Sequence, residues 1–466
     1  MKLTLDVENT VTKRDGKMHL DPFEPDNTLV MVGMLTDQGQ CLTFPFDHAD
    51  RPNQDDYYER VQMMLDEATV LICHNAAHDL LWLWESGFKY DGPVFDTMLA
   101  EYVLQRGIKE PLSLEACAER YELDTKKQDT LKEYFAKGYS TRDIPYNELT
   151  EYLIADLEAT QQLADKLMHR LNTPADSGLM STVDLTNQVA VCLTKIYQRG
   201  FTVDRKALRD VYNEFEYEKI TLERDLKEHV YKLMGDTPIN LNSPEQLGWV
   251  VYGRKVINKQ EWGEKMDPFM DASDFYQMVQ NGTERIFKTR AEKCGTCKGK
   301  GHVYKVRKDG SNYSKPHKCK ECDSLGYIFK PTSKFAGLRF KPPSAKWLSA
   351  NGFTTSKGNL ETLEGVARSK GMDDAVDFLS KVRRLSAVET YLSSFVEGIR
   401  IHTKEDGKLH VRLLQHRTST GRFSGADPNM QNMPRGGTFP VKKVFVSRFD
   451  GGKIMEADFA QLEFRT

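Results

Sequence analysis

The sequence has little cysteine and no long hydrophobic run, and these two shortages exclude several classes of protein. Eight cysteines in 466 residues are too few for a small domain held together by disulfide bonds. No stretch reaches the roughly 18 consecutive apolar residues of a membrane-spanning helix, and the first residues lack the apolar core of a secretory signal peptide. We therefore expect no membrane association and a cytoplasmic location.

A formal net charge of −3 conceals an uneven distribution of charge along the chain. Residues 285–346 contain 17 Lys and Arg side chains but only 4 Asp and Glu, a net charge of +13. The other 404 residues contain 48 basic and 64 acidic side chains, a net charge of −16. The basic segment is a candidate for binding a polyanion, with a solvated lysine-rich surface as the alternative.

The pattern of apolar residues divides the chain into parts of different character. Residues 1–175 alternate short apolar strands with amphipathic helices, which is typical of an α/β domain. The tripeptide Asn172-Thr173-Pro174 marks the end of this part. Further along, Ser243 is expected to cap a helix that begins at Pro244. The other elements predicted are strands over residues 29–35 and 69–73, a helix over 148–170, and helical stretches over 184–233 and 360–401.

Asp6 and Glu8 stand two residues apart in an apolar segment that is predicted to be a strand. Because alternate residues of a strand share a face, we expect both carboxylates on one face and Leu5 and Val7 on the other. Two adjacent carboxylates repel each other unless a cation lies between them, and a divalent metal site would supply that cation. A solvated edge strand is the alternative explanation.

Further carboxylates occur where helices are predicted. In residues 73–79 a strand leads into a helix, where we expect Asn75 to cap the helix and Asp79 to lie one turn further along. Tyr152 and Asp156 are four residues apart in a later helix and therefore share one face. A plain helix cap and a surface Tyr–Asp pair are the alternatives for these two motifs.

In this order and spacing the three motifs resemble those of the DEDD exonucleases of the Tyr subclass, D-x-E, N-x3-D and Y-x3-D. Residues 95–102 and 112–121 are also similar to segments of the proofreading domain of bacterial DNA polymerase I. The resemblance implies an RNase H-like α/β fold and 3′→5′ exonuclease activity on DNA with two Mg2+ or Mn2+ ions. The implied roles are metal binding by Asp6, Glu8, Asp79 and Asp156, orientation of the attacking water by Tyr152, and a DNA contact by Asn75.

A second set of motifs lies in residues 416–434, a loop-like stretch rich in Arg, Asn and Gln. Such side chains are suited to contacts with phosphates and with minor-groove acceptors. The pattern T-G-R-x-S followed by D-P-N-x-Q-N-x-P is similar to the signature that precedes the palm in family A DNA polymerases. The resemblance implies template-primer contacts by Arg422, Asn429, Gln431, Arg435 and Lys442.

Residues 454–466 resemble motif A of the same polymerases, D-[YF]-[SA]-Q-[IL]-E-[LF]-R. The resemblance implies that Asp458 binds metal for nucleotidyl transfer and that Gln461 and Glu463 contact the nucleotide. The sequence contains no match to the family's fingers helix or to the motif with its second catalytic Asp, and a single carboxylate cannot build a two-metal site. We therefore expect the N-terminal part of a split or truncated polymerase, completed by a second polypeptide, without which the segment around Asp458 should be poorly ordered.

The resemblance to family A polymerases extends to residues 239–247 and 353–363, which are similar to the thumb, and leaves about 251–345 uncovered. We expect an α/β protein in which an RNase H-like DEDD exonuclease domain precedes a partial, mostly helical thumb and palm region with a zinc-knuckle insert. The expected parts are the exonuclease domain over residues 1–175, the palm start and thumb over 176–254, the insert over 255–345, and the thumb return with an incomplete palm over 346–466.

Four of the cysteines form two CxxC pairs in the basic segment, separated by 21 residues. Four thiolates at this spacing predict one tetrahedral zinc ion that folds the insert and has no open position for catalysis. Glycines after each pair are locally similar to the zinc knuckles of the DnaJ chaperones. The ligands would be Cys294, Cys297, Cys319 and Cys322.

For the charge of this insert we favour a grip on duplex DNA that raises processivity, because phosphate contacts are independent of sequence. Docking of a processivity protein is the competing explanation. For the whole chain, the expected function is that of a phage-like family A DNA polymerase with a proofreading exonuclease. A stand-alone RNase D-like exonuclease and a non-catalytic DNA-binding or assembly subunit are the alternatives.

Overall fold

The computed structural model describes residues 1–14, 16–54, 56–123, 129–306, 312–434 and 437–461. No helix among these residues is long and apolar enough to cross a membrane. The α-helices are α1 Tyr57–Glu67, α2 Ala76–Glu85, α3 Thr97–Leu104, α4 Leu114–Arg120, α5 Asp129–Ala136, α6 Tyr146–Leu171, α7 Met180–Arg199, α8 Arg205–Met234, α9 Pro244–Tyr252, α10 Lys259–Lys265, α11 Ala272–Gly282, α12 Lys357–Ser369, α13 Asp373–Thr390 and α14 Glu397–His402.

The strands are mostly short, and the longest has nine residues. They are β1 Lys2–Asn9, β2 Thr12–Arg14, β3 Lys17–His19, β4 Leu29–Thr36, β5 Cys41–Pro45, β6 Asp47–His48, β7 Arg51–Pro52, β8 Val70–Cys73, β9 Val94–Asp96, β10 Phe201–Val203, β11 Arg254–Val256, β12 Thr283–Arg285, β13 Phe287–Lys293, β14 His302–Val306, β15 Asn312–Lys318, β16 Tyr327–Phe335, β17 Leu348–Ser349, β18 Gly352–Phe353, β19 Lys408–Leu409, β20 Arg412–Leu414, β21 Ser424–Ala426 and β22 Phe445–Val446.

The chain forms two compact units, one made of residues 1–209 with 395–466 and the other of residues 210–394. In the first unit a five-stranded sheet has the order β5-β4-β1-β8-β9, in which β8 and β9 run parallel to β1 while β4 runs antiparallel. Helices α1 and α2 pack on one face of this sheet, and α3, α4 and α6 pack on the other. The predicted α/β fold is confirmed, and the predicted boundaries at residues 175, 254 and 345 stay predictions.

Most of the predicted elements of the first unit are present, but one predicted helix is interrupted. The strands over residues 29–35 and 69–73 correspond to β4 and β8, and the helix over 148–170 to α6. The prediction of helical structure over residues 184–233 is confirmed for the parts in α7 and α8 and is wrong for residues 200–204 between them. Gly200, with φ of +61°, ends α7, and the chain forms the short strand β10 before α8 begins. A left-handed backbone at this point cannot continue a right-handed helix.

The second unit is built around helices α8, α9, α12 and α13. Its core includes Val250 and Val251 from α9 and Phe378 and Leu379 from α13, all fully buried. The predicted cap of α9 is confirmed, because the Ser243 hydroxyl accepts a hydrogen bond from the backbone N–H of Gln246. The Cys-bearing insert leaves this core after β12 and returns to it at residue 336.

Candidate active site

Strand β1 presents two carboxylates on one face of the sheet. The buried apolar side chains of β1 pack against α1 and α2. Because side chains alternate along a strand, Asp6 and Glu8 point to the opposite face, which α6 covers. The Thr4 hydroxyl, on the same face, donates a hydrogen bond of 2.5 Å to the Gln161 side-chain oxygen in α6. The predicted orientation of the two carboxylates therefore agrees with the packing.

Helix α6 brings a third carboxylate to this face. In the pairing of β1 with β4, Gly33 lies opposite Asp6. A Cβ atom at Gly33 would stand 2.7 Å from Leu153 Cγ, so only a glycine lets α6 approach the sheet this closely. As a result, carboxylate oxygens of Asp6, Glu8 and Asp156 all lie within 4.8 Å of one another. Residues far apart in the chain thus form one acidic cluster.

Asp79, the fourth predicted carboxylate, lies beside this cluster, in the first turn of α2. Its side chain is 1 % exposed, and its Oδ1 accepts a hydrogen bond of 3.2 Å from the backbone N–H of Val7 in β1. Burial raises the pKa of Asp79 well above its usual range, and the negative charges of Asp6 and Asp96 raise it further. A cation among these carboxylates would relieve that repulsion.

Tyr152 lies one turn before Asp156 on α6 and forms a hydrogen bond with the Asp156 carboxylate. Burial raises the pKa of the Tyr152 phenol far above its usual value, and the charges of Asp156, Glu8 and Asp6 add to the effect. The phenol therefore stays protonated at neutral and moderately alkaline pH. It can donate or accept a hydrogen bond without adding charge to an acidic site.

The donor set of this cluster fits divalent cations of the Mg2+ and Mn2+ type. Such hard cations prefer carboxylate oxygens, and two to four carboxylates in one place are the ligands that two-metal hydrolytic sites use. Oxygens within 4.8 Å of one another can reach a shared ion. Asp6, Glu8 and Asp156 would hold the metal directly. The buried Asp79 lies close enough to Asp6 for the Asp6 carboxylate to raise the pKa of Asp79.

Asn75 does not cap α2 with its side chain, so that part of the prediction is wrong. Asn75 occupies the N-cap position with φ of +73° and ψ of +54°, and its side chain makes no capping hydrogen bond. The carboxylate of Asp96 takes that role instead, accepting hydrogen bonds from the backbone N–H groups of Asn75 (3.1 Å) and Ala76 (2.9 Å). Asn tolerates the left-handed backbone conformation of this turn better than most residues do.

Asp96 is a site residue to which the sequence motifs assigned no role. The Asp96 carboxylate accepts hydrogen bonds in the turn at Asn75. Its Oδ1 also accepts hydrogen bonds from the backbone N–H groups of Met98 and Leu99 and so caps α3. Burial raises the pKa of Asp96 to about 6, while its hydrogen bonds with backbone N–H groups oppose that rise. An Asp directly before a helix is the sequence signal for the cap of α3. The hydrogen bonds of Asp96 with the turn at Asn75 depend on tertiary contact and have no such signal.

A second group of metal-ligand side chains in the first unit already contains a cation. His19, Asp21 and Glu24 have ligand atoms within 4.8 Å of one another. The Lys404 ammonium, however, lies 2.5 Å from Glu24 Oε1 and 3.1 Å from Asp21 Oδ1. This group is therefore an ion-pair network that joins residues 19–24 to the segment after α14, and we do not assign a metal to it.

A cavity of about 540 Å³ lies at the N-terminal end of α2. Asn75 and His78, at the start of α2, form one side of its wall. Arg412, Gln415 and His416, from the later segment of the same unit, form another. Burial lowers the pKa of His78 to about 4, and the positive charge of Arg412 contributes. The cavity therefore has a permanent cation, Arg412, near the turn that carries Asn75.

The four predicted zinc ligands come together in the second unit. Cys294, Cys297, Cys319 and Cys322 are at most 5 % exposed, and the Sγ–Sγ distances are 3.8 Å for Cys294–Cys319 and 3.6 Å for Cys297–Cys322. A tetrahedral zinc ion with Zn–S bonds of about 2.3 Å has S–S edges of about 3.8 Å. The distances are too long for a disulfide, whose S–S bond is about 2.05 Å. This geometry fits structural zinc.

The two CxxC turns are near copies of each other, as expected for a zinc knuckle. The N–H of Gly301 donates a hydrogen bond to Cys297 Sγ, and the N–H of Gly326 donates one to Cys322 Sγ. Each of these glycines has a positive φ and lies against the other turn, where a Cβ atom would stand within 2.5 Å of a carbonyl oxygen. The glycines that follow the cysteines therefore have a steric role in closing the knuckle.

The residues assigned to template-primer contacts occupy an irregular segment of the first unit. Asn429 Oδ1 accepts a hydrogen bond from the backbone N–H of Gln431, and Gln431 Oε1 accepts one from the N–H of Gly425. Arg422 is exposed, and Lys442 forms an ion pair of 2.7 Å with Glu456. Their predicted roles toward DNA stay predictions.

Asp458 lies in an exposed stretch, residues 452–459, that forms neither helix nor strand. It belongs to none of the groups of metal-ligand side chains found among the described residues. Gln461 is exposed and has φ of +53°. Two other predicted residues, Arg435 and Glu463, lie outside the part of the chain that the structure describes.

Comparison with known families matches two separate segments of the chain. Residues 18–172 match the family described as 3'-5' exonuclease, and residues 335–466 match DNA polymerase family A. Asp79, Tyr152 and Asp156 lie inside the first segment. Asp6 and Glu8 precede it in sequence, but their carboxylate oxygens lie within 4.8 Å of that of Asp156. The insert with the four cysteines lies between the two matched segments.

The chain is also similar to DNA polymerases of bacteria and of a phage. DNA polymerase I of Bacillus subtilis strain 168 is 23 % identical over 387 residues, which is 82 % of this chain and 32 % of the relative. DNA polymerase I of Chloroflexus aurantiacus is 30 % identical over 197 residues, 41 % of this chain and 19 % of the relative. The DNA polymerase of Bacillus phage SP01 is 23 % identical over 479 residues, 98 % of this chain and 45 % of the relative.

A solved structure has the same fold over most of the chain. The POL domain of Pol1 from M. smegmatis, in complex with DNA primer-template and dNTP, has a TM-score of 0.55 and 18 % sequence identity. The match covers 96 % of this chain and 55 % of that one. The chain thus spans less than half the length of the three curated relatives and about half of this solved chain.

Proposed function

We propose that this chain, which matches DNA polymerase family A and the 3'-5' exonuclease family over separate segments, removes nucleotides from the 3′ ends of DNA by metal-dependent hydrolysis. One observation carries the proposal. The oxygens of Asp6, Glu8 and Asp156 lie within 4.8 Å of one another, beside a protonated Tyr152 that is hydrogen-bonded to Asp156. A single-stranded 3′ end is the proposed substrate.

In the proposed reaction the residues of the chain hold metal, water and DNA in fixed relation. Divalent cations bound there would supply charge stabilisation to the attacking and leaving oxygens of the phosphodiester. Asp6, Glu8, Asp79 and Asp156 are the proposed ligands of two Mg2+ or Mn2+ ions. The Tyr152 phenol would orient the attacking water through a hydrogen bond, because its raised pKa keeps its proton in place.

The polymerase segment supports a further part of the proposal. We assign template-primer contacts to Arg422, Asn429, Gln431, Arg435 and Lys442, nucleotide contacts to Gln461 and Glu463, and metal binding to Asp458. Nucleotidyl transfer with two metal ions requires more than one carboxylate. DNA synthesis would then need a carboxylate from outside residues 335–466, and we propose that either a second polypeptide or a further part of the same polypeptide provides it. The match over that segment favours this proposal over a stand-alone RNase D-like nuclease.

The test of the exonuclease proposal uses the purified chain and a single-stranded oligonucleotide labelled at its 5′ end. We expect a ladder of shortened products that requires Mg2+ or Mn2+ and is abolished by a chelator. An oligonucleotide labelled at its 3′ end should release labelled mononucleotide first. If the products instead came from internal cleavage, or if none formed with either metal, the proposal would be wrong.

Replacement of Tyr152 by Phe should slow cleavage by about 100-fold, the usual effect of removing one well-placed hydrogen-bonding group. Because the pKa of Tyr152 is raised, the ratio of the two rates should stay constant from about pH 7 to pH 10. Tyr146→Phe is the matched control, since Tyr146 lies on the same helix and its hydroxyl is within 3.5 Å of the Thr43 hydroxyl. Equal rates for the Tyr152 variant and the wild type would contradict the assigned role.

Replacement of Arg412 by Gln should weaken substrate binding with little effect on the chemical step. We propose that nucleotides next to the scissile bond occupy the cavity between Asn75 and Arg412. Loss of one charged contact to phosphate raises KM about tenfold while kcat changes by less than about twofold. Arg199→Gln, an exposed arginine at the end of α7 and outside the cavity wall, is the control. A fall in kcat with unchanged KM would contradict this use of the cavity.

A further inference from the structure

The insert forms a β-arm with three parts, which we define as residues 287–335. Strands β13 and β16 pair as an antiparallel stem, and β14 and β15 pair as a distal hairpin. The four-cysteine knuckle lies between stem and hairpin, because its cysteines follow β13, precede β14, follow β15 and precede β16. The arm is described over residues 287–306 and 312–335.

The stem of the arm is rooted firmly in the second unit. Thr289 of β13 forms a parallel bridge with Gly235, directly after α8, and a Cβ atom at Gly235 would stand 2.2 Å from the Thr289 carbonyl oxygen. The Asp236 carboxylate accepts a hydrogen bond of 2.7 Å from the N–H of Ala291. After β16 the chain re-enters the core at Ala336, which is fully buried. The root and the knuckle therefore give the arm a defined shape.

The surface of the arm is dominated by cations. Its described carboxylates are Glu292, Glu321 and Asp323. Glu292 forms an ion pair with Lys330, and the Glu321 carboxylate is engaged with the Thr296 hydroxyl. Among the described residues the exposed cations number ten: Arg290, Lys293, Lys298, Lys300, Lys305, Lys315, Lys318, Lys320, Lys330 and Lys334.

The strand pairing brings like charges close together, which is unfavourable for the arm by itself. Arg290 is directly opposite Lys330 in the stem. Like charges opposite each other across two strands destabilise the pair. Within a Debye length of about 8 to 10 Å these cations also repel their neighbours. A bound polyanion would offset both the cross-strand repulsion and the repulsion between neighbouring cations.

Among the described residues of the arm four aromatic rings are exposed, those of Phe287, Tyr304, Tyr327 and Phe335, and three of them contact another ring. Phe287 and Phe335 stack on each other with ring centroids 4.9 Å apart, and His302 contacts Tyr304 edge to face. Binding of single strands depends on aromatic faces on which bases can stack. Lysine ammonium groups, in contrast, act as point charges toward phosphate and do not read bases. The surface is therefore suited to a phosphate backbone.

We propose that the arm binds the phosphate backbone of duplex DNA without sequence preference. The choice of DNA over an acidic protein rests on the proposed function, since the same chain acts on DNA. The binding itself is separate from hydrolysis, because the arm contains none of the carboxylates of the acidic cluster. Each phosphate neutralised by the arm should add about 0.9 to the slope of log affinity against log salt.

The test compares the full chain with two variants at Lys300, Lys305, Lys315 and Lys334, all exposed and none adjacent to a cysteine. In one variant the four lysines become Gln, and in the other they become Arg. Binding of a short blunt duplex with 3′-phosphorothioate ends is measured between about 50 and 200 mM salt, without added divalent metal. We expect the Gln variant to lose at least about tenfold in affinity and about 3 to 4 in slope, and the Arg variant to stay within about twofold.

Two further measurements keep the proposal open to refutation. The zinc content of each variant shows whether the arm has remained folded. Lysine-specific chemical labelling of the wild-type chain gives an answer that needs no variant, since duplex DNA should protect the arm lysines. Equal salt slopes for the Gln variant and the wild type, with no protection of these lysines, would overturn the proposal. Protection by polyglutamate but not by duplex would overturn it in favour of an acidic protein.

The outcome for the arm can be told apart from the outcome for the exonuclease. Cleavage of a short single strand should be the same within about twofold in the Gln variant and the wild type, because the arm is proposed to hold duplex. A chain that does not cleave but shows the salt-dependent loss would refute the exonuclease and retain the arm. A chain that cleaves but binds duplex equally in both variants would refute the arm alone.

Discussion

A chain that carries Asp6→Ala together with Glu8→Ala should lose metal-dependent trimming of single-stranded DNA by on the order of 1000-fold. Removal of two of three clustered carboxylates leaves Asp156 without the partners that hold a cation. Charge stabilisation of several kcal/mol by the metal would be lost, and about 1.4 kcal/mol corresponds to a factor of ten in rate.

The loss of activity in this variant should not come from unfolding. The carboxylate of Asp6 raises the pKa of the buried Asp79 through repulsion, so its removal relieves an unfavourable interaction. Without metal we therefore expect the double variant to unfold at the same temperature as the wild type or a higher one. Added Mg2+ or Mn2+ should raise the unfolding temperature of the wild type only, because a ligand stabilises the state that binds it.

The matched control for this prediction is Glu158→Gln. Glu158 lies on α6 two residues after Asp156, but it is exposed and outside the acidic cluster. Its replacement should leave both the cleavage rate and the effect of metal on stability unchanged. Cleavage by the double variant at the wild-type rate, with the same metal requirement, would show that the acidic cluster is not the active site.

Replacement of Cys297 by Ala should abolish zinc binding and disorder the arm. The four cysteines are the buried centre of the knuckle, with Val303 and Ile328 packed partly against them. Small metal-folded domains depend on zinc, whose apparent binding contributes about 10 to 16 kcal/mol in peptides. Three thiolates with an open position cannot provide the same closed tetrahedral site.

Metal analysis and hydrogen exchange measure this effect. The zinc content should fall from about one ion per chain to near zero, and amide protection should disappear in β13 to β16. Core helices such as α13, which pack around Phe378, should keep their protection. Cys192→Ser is the control, because Cys192 is an exposed lone cysteine and its loss should change neither quantity. Zinc retained at the wild-type level in the Cys297 variant would contradict the assignment.

Local patterns in the sequence were sufficient to predict several parts of both sites. The alternation of β1 predicts that Asp6 and Glu8 share a face, and the four-residue spacing in α6 predicts that Tyr152 and Asp156 do. The CxxC spacing predicts the knuckle in the same way. In each case the relevant residues are close in sequence, so the geometry of one strand, helix or turn determines their relation.

Other features depended on contacts between segments that are distant in sequence. The sequence predicts that the Asn75 side chain caps α2, but the carboxylate of Asp96, about twenty residues later, accepts the hydrogen bonds of that turn, and Asn75 has a left-handed backbone. The interruption at Gly200 was also missed, because apolar periodicity continues on both sides of it. A single glycine with positive φ changes the direction of the chain without changing the pattern.

The sequence by itself determined the residue types, the local faces and the charge of the insert. Only the tertiary structure decided that Asp6, Glu8 and Asp156 meet, because their meeting depends on the close contact of α6 with the sheet over Gly33. The tertiary structure also decided which carboxylates repel one another, because distant segments pack together there and bury their side chains away from water. The rooting of the arm at Gly235 and Thr289 is of the same kind.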